Sequence, residues 1–250
     1  MSKILLAGEQ VTATGFEIKG FDYFGVNAYK EDGQALVEAL SGGGHEVNWL
    51  RTCQVPTDFP ERMEDLRRYD VVILSDVGAN SLLFHPEMLS KSVRHPNRLK
   101  LIRDYVAQGG GLVMVGGWMS FAGIDGRARY HNTAVAEALP VTCSIHDDRE
   151  EVPEGVVPEV RLPTHPVLDG VKGPWPFFLG YNRVVAKPKA EVLLTIGDDP
   201  LLAVWSYGRG RSAAFMSDCA PHWAPPDFLN WAGYCGLWQN LVRWLNAAAK

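Results

Sequence analysis

A chain of 250 residues with 24 Lys and Arg against 29 Asp and Glu carries a formal net charge of −5, with no run of like charges along it. That balance argues against the basic surface that nucleic acids or anionic membranes require and points to small-molecule or protein partners. No apolar segment reaches the roughly 20 residues that span a bilayer, and the length suits one large core with insertions, so residues 1–250 read as a single domain.

The N-terminal half alternates apolar runs with helical patterns. Ile4 to Ala7 predicts the first strand. The stretch GFEIKGFDYFGVNAYKEDG that starts at Gly15 is aromatic-rich without a strong period, and an ordered loop over the strand ends is expected there. DGQALVEAL sets Leu36, Val37 and Leu40 on one helix face and stops at Gly42-Gly43-Gly44, after which HEVNWL is a second strand. MEDLRRY is a short helix before VVILSDVG, and NRLKLIRDYVAQGGG is a longer one before LVMVGG. This alternation predicts an α/β fold with a doubly wound, mainly parallel sheet and helices on both faces. Ile4–Ala7, Val71–Ser75 and Val113–Val115 are then neighbouring central strands.

From about residue 140 Pro becomes frequent, and EVLLTI, LLAVWSY and RSAAFMSD are β-rich runs joined through GDDP and GRG. Those connections predict hairpins and hence antiparallel strands added to the sheet edge in the C-terminal half. The closing DFLNWAGYCGLWQNLVRWLNAA carries Trp231, Cys235, Trp238, Val242 and Leu245 at helical spacing. It predicts an amphipathic helix packed on the sheet with these residues on its core face.

Cys53, Cys143, Cys219 and Cys235 form no CxxC pair, and the N-terminus enters a strand without a basic leader. Free thiols in a reducing cytoplasm are expected, buried by default as small apolar side chains. Five of the eight Trp fall in the last fifth of the chain. With the aromatic stretch Phe16 to Tyr29 they exceed what one core of this size needs, which predicts a homo-oligomer.

In doubly wound sheets ligands bind beyond the carboxyl ends of the strands. The residues placed there are Glu9, Ser75 and Asp76, and the turn in VMVGGWMSFAG. That turn has the small residues of a nucleophile elbow but not its G-x-[SC]-x-G pattern. With Gly116 as the first glycine, Trp118 stands at the apex and Ser120 at the second glycine position, and an indole cannot attack a carbonyl. Ser120 is a candidate displaced nucleophile or a turn residue. SDCAPHW sets Asp218, Cys219 and His222 just after a strand, where Cys219 and His222 could pair for catalysis, or Asp218 and His222 could simply contact a ligand. His131, His165 and His146-Asp147-Asp148 are ligand-capable, but no HExxH or HxH spacing joins them and HDDRE reads as a solvated loop, so neither a metal nor a cofactor is expected.

Taken together, GGWMSFAG, THPVLDGV, LLAVWSYGRGRSAAFMSD and APHW resemble the glutamine amidotransferase-like group of the class I glutamine amidotransferase superfamily. ThuA-like proteins are more distantly similar, through the THP segment and the late GxGR hairpin. The resemblance covers nearly the whole chain and implies a flavodoxin-like sheet. Class I amidotransferases use an elbow Cys with a His and Glu after a later strand to release ammonia from glutamine. The elbow Cys corresponds to Trp118 here, and the His-x-Glu is not matched by Asp218 and His222. With those two departures, the resemblance implies a protein of amidotransferase fold without glutaminase activity. Such a protein would bind a small polar metabolite among Glu9, Asp76, Trp118, Ser120, Asp218 and His222, with Trp118 as aromatic wall or as a plug. The alternatives are a hydrolase with a displaced nucleophile, Cys219 or Ser120, and a structural oligomer whose pocket is filled.

Overall fold

The computed structural model describes residues 1–171 and 173–247. Its first strand, β1 (Lys3–Gly8), is buried from Ile4 onward. It continues directly into two long strands, β2 (Gln10–Lys19) and β3 (Asp22–Glu31), which pair only with each other as an antiparallel ribbon. The sequence reading of this stretch as a loop is therefore corrected. A strand with one buried face shows a period of two, but here both faces lie open and the apolar residues are scattered over each.

Helix α1 (Gln34–Gly42) buries Leu36, Ala39 and Leu40 and is followed by β4 (Glu46–Leu50). Two short helices, α2 (Val55–Asp58) and α3 (Met63–Leu66), lead to β5 (Val71–Ser75), an unbroken buried run. After α4 (Ala79–Leu83) and α5 (Pro86–Lys91) comes α6 (Arg98–Ala107). The Asn97 side chain caps α6 by accepting from the Lys100 N–H at 3.1 Å, and Leu99, Ile102 and Val106 form its buried stripe. Strand β6 (Gly111–Val115) follows, again fully buried.

The second half holds α7 (Ala134–Ala138), β7 (Val141–Thr142), β8 (Arg149–Val156), β9 (Glu159–Val160), β10 (Phe178–Asn182), β11 (Val185–Ala186), β12 (Glu191–Ile196), β13 (Asp199–Tyr207) and β14 (Gly210–Phe215). The central sheet has eight strands in the order β4-β1-β5-β6-β14-β13-β12-β9. Its first five run parallel, and β13, β12 and β9 extend it antiparallel. The three central strands read from the sequence are neighbours in register, Ile4 with Val71 and Ile73 with Val113. One refinement concerns β14, which joins the parallel portion beside β6 rather than the antiparallel edge. It thereby brings the end of SDCAPHW into the middle of the sheet.

The closing segment is not one helix. A turn, α8 (Pro226–Leu229), precedes α9 (Tyr234–Asn246), and the break falls where the Trp231 ring lies against Gly233 so closely that a Cβ there would overlap it. Trp231 turns toward Trp175, ring centroids 4.7 Å apart. The changed phase leaves Cys235 exposed, contrary to its expected core position, and Cys53 is exposed as well. Trp223 and Trp238 are fully buried, and Trp205, Trp231 and Trp244 half-buried, so the C-terminal Trp cluster is largely absorbed by the chain's own core.

Candidate functional site

Close backbone approaches converge the carboxyl ends of β1, β5, β6 and β14. At Gly8 (φ +121) any Cβ would run into the Ser75 carbonyl oxygen, so only glycine lets β1 finish against β5. The chain then turns at Glu9 (φ +56), whose N–H donates to Ser75 O at 3.2 Å, and β5 turns likewise at Asp76 (φ +46). Gly117 (φ +148) passes the Asp76 carboxylate with room for no side chain. His222 sits at φ +145. Glu9, Asp76 and His222 are among the few non-glycine residues held at positive φ, and all three face one cavity; such clustering of strain at a cleft is a mark of function.

The cavity measures about 310 Å³. It is lined by Glu9, Asp76, Trp118, Asp218, Pro221 and His222 at the strand ends, and by Val11, Lys30 and Asp32 at the base of the β2–β3 ribbon. Five of the six residues expected to meet a ligand are thus brought together. The sixth, Ser120, is buried behind them, where its Oγ accepts from the Asp76 N–H at 3.2 Å. Val11, Lys30 and Asp32 were not foreseen, because they arrive on the ribbon.

Burial dominates the electrostatics. It pushes the Glu9 carboxyl up to about 8, with the nearby Asp76 charge adding to the effect, so Glu9 carries its proton at neutral pH. Its Oε1 accepts from Ser75 Oγ at 2.5 Å. Burial, then the charges of Glu9 and Asp76, also raises Asp218 well above the carboxylate range, and burial raises Asp76. Burial holds His222 below the usual imidazole value, leaving it neutral. The cavity thus offers the protonated carboxyl of Glu9, which can both donate and accept hydrogen bonds, beside a neutral imidazole and two further carboxyls that burial raises.

Neither candidate nucleophile is poised for attack. Cys219 is fully buried, and burial together with the Glu9 and Asp218 carboxyls drives its thiol well above the ordinary value, away from the reactive thiolate. Its Sγ lies 3.5 Å from Ser75 Oγ and 3.7 Å from Glu9 Oε1. The His222 ring instead meets Trp118 edge-on at 4.8 Å and stacks on Trp223 at 5.1 Å.

The turn after β6 departs from an elbow in its backbone as well. No helix follows; residues 116–123 form an irregular loop leading to a 3-10 turn at Ile124–Gly126. Four N–H groups of this loop are engaged by side chains. Asn182 Oδ1 accepts from Gly117, Asp76 from Met119, and the two Asp148 oxygens from Ala122 and Gly123 at 2.9 and 2.8 Å. Within HDDRE, His146 and Asp147 are exposed as a solvated loop would have them, but Asp148 is buried and also accepts from Asn182 Nδ2. Trp118 remains 40 % exposed, which makes it a wall at the rim and not a core plug. Its Nε1 donates to Glu151 at 3.1 Å, the Arg149 guanidinium lies 4.9 Å over its ring, and Glu151 also accepts from Trp223 Nε1 at 2.9 Å.

Two side-chain groups among the described residues have metal-capable composition. In the first, ligand atoms of Glu9, Asp218 and Cys219 lie within 4.8 Å of one another, all three buried. In the second, Glu61, His85 and His95, the imidazoles stack at 3.8 Å and 14°, so their in-plane lone pairs run side by side instead of converging. His131 and His165 serve locally, against the Cys143 carbonyl and as the cap of a 3-10 turn.

The sequence profile of the family described as "Putative glutamine amidotransferase" matches residues 3–247. The chain belongs to that family. A cytoplasmic protein from Salmonella typhimurium is 42 % identical, with a TM-score of 0.94 over 98 % of this chain and 99 % of that one. A second cytoplasmic protein, from Salmonella typhimurium LT2, is 39 % identical, with a TM-score of 0.93 over 97 % and 99 %. A ThuA-like protein from Bacteroides uniformis, 15 % identical with a TM-score of 0.53 over 98 % and 91 %, shares the fold. No curated protein matches the chain. Among the described residues of this amidotransferase-family protein no helix is long and apolar enough to cross a membrane. At the turn after β6 this family member carries the indole of Trp118 where an elbow cysteine would stand.

Proposed function

We propose that this protein is a cytoplasmic member of the amidotransferase family that does not hydrolyse glutamine and instead binds a small, hydroxyl-rich polar metabolite at the strand ends. One observation carries the reading: Glu9, Asp76 and Asp218, three carboxyls that burial raises, share a 310 Å³ cavity with neutral His222, walled by the exposed indole of Trp118. A cavity of that size suits a metabolite of a few carbons to a single sugar ring. Closely set carboxyls that both donate and accept match paired hydroxyls, and an indole matches the apolar face of a ring. Lys30 at the ribbon side adds a cation that could meet an acidic group of the ligand.

The alternative, hydrolysis by a displaced nucleophile, is opposed by the raised thiol of Cys219 and by the burial of Ser120. Titration calorimetry with a panel of small sugars, polyols and sugar acids tests the proposal. At least one member is expected to bind with a Kd of about 1 mM or tighter, and Asp218→Asn and Trp118→Ala are each expected to weaken it by about tenfold. A panel without a binder, or binding unmoved by both substitutions, contradicts it.

A further inference from the structure

The β2–β3 ribbon is anchored to the body only at its root. There the Gln10 N–H donates to Thr52, Gln10 Oε1 accepts from the Cys53 N–H, and Arg51 pairs with Glu31 at 3.0 Å. Beyond the root all ten residues of β3 and nearly all of β2 are exposed. Their register places Val11, Phe24 and Val26 on one face and Phe16, Ile18, Tyr23 and Tyr29 on the other, with Phe21 at the tip. Phe16 is 71 % exposed, Ile18 76 % and Tyr23 73 %. A lone two-stranded ribbon is marginal in water, and this one also leaves both outer edges unpaired over ten residues without a proline.

We propose that this arm is the interface through which a second copy of the chain binds. Its exposed aromatic and aliphatic side chains offer on the order of 1,000 Å², close to the ~800 Å² that each partner contributes to a standard-size interface. The arm carries Lys19 and Lys30 against Glu17, Asp22 and Glu31, a balance unlike the basic surface that anionic lipid or nucleic acid selects. Its free edges are self-complementary, since an antiparallel edge can pair with its own copy across a two-fold axis. The arm is also a built element of the family's structures. It makes up roughly a tenth of the chain, whereas the two Salmonella proteins leave only 2 % and 3 % of this chain unmatched, too little to omit it. With the C-terminal Trp residues mostly taken up by the core, the arm is where the expected self-association resides.

Light scattering coupled to gel filtration at micromolar concentration tests this with three proteins. The wild type is expected at a multiple of its 27.6 kDa chain mass. In one variant, residues 12–29 are replaced by Asn-Gly, which keeps Val11 and Lys30 at the cavity; in another, Phe16→Lys, Ile18→Lys and Val26→Lys charge both faces. The shortened arm is expected to give the single-chain mass, and the charged arm to weaken association at least tenfold. Circular dichroism of the charged arm should match the wild type, and that of the shortened arm should differ only by loss of the ribbon's own strands, because these pair with each other and not with the central sheet. A wild type at the single-chain mass, or variants that retain the wild-type multiple, would overturn the proposal.

Discussion

Glu9 concentrates the physical argument at the scale of one residue. Folded, its carboxyl holds a proton up to about pH 8, whereas an unperturbed carboxyl releases it near 4.5. Between those values the folded state binds the extra proton, so stability falls as pH rises through the window. Glu9→Gln removes that group's share of the slope. Urea denaturation at pH 5 and pH 8 should show the wild type losing on the order of 1–3 kcal/mol more than the variant over that interval; equal losses would contradict the assignment. The thiols allow a second test. Cys53 and Cys235 are exposed while Cys143 and Cys219 are buried with raised thiols. A maleimide should therefore modify the first two in the folded protein and spare the others until denaturant is added, as read by intact mass. Rapid modification of Cys219 would restore it as a nucleophile.

Elements explain what holds the site. The loop at 116–123 keeps its shape because Asp148 takes the Ala122 and Gly123 N–H groups and Asn182 brackets Gly117 with one bond to its N–H and one to its carbonyl. Asp148→Ala strands these buried donors and should cost about 3 kcal/mol. Asp147→Ala breaks a more exposed pair with Arg149 and should cost under about 1 kcal/mol. Comparable losses for the two would refute the role given to Asp148. Sequence reasoning reached the parallel strands because their residues are apolar throughout, and it reached Glu9, Asp76, Asp218 and His222 because each follows such a strand. It missed Asp148 because a buried carboxylate among other charged residues has the composition of a solvated loop. It missed the ribbon, and with it Lys30 and Asp32, because a strand with two open faces loses the alternation by which strands are recognised. The remaining signal was Gly20-Phe21, a two-residue hairpin turn with Gly20 at φ +66.

Across the whole molecule, a mainly parallel sheet ends at a turn whose backbone and apex residue differ from those of a nucleophile elbow. The parallel order from β4 to β14 delivers four strand ends to one cavity, where an indole occupies the apex and carboxylate or amide side chains hold the N–H groups of Gly117, Met119, Ala122 and Gly123. On the proposed function, a ligand there would meet the raised carboxyls and the imidazole, with the base of the ribbon as its outer wall. Release of ammonia from glutamine, measured for wild type and Cys219→Ala side by side, tests this most directly. Both proteins are expected to match the protein-free background, whereas release by the wild type that Cys219→Ala abolishes would show that the nucleophile has moved to the end of β14.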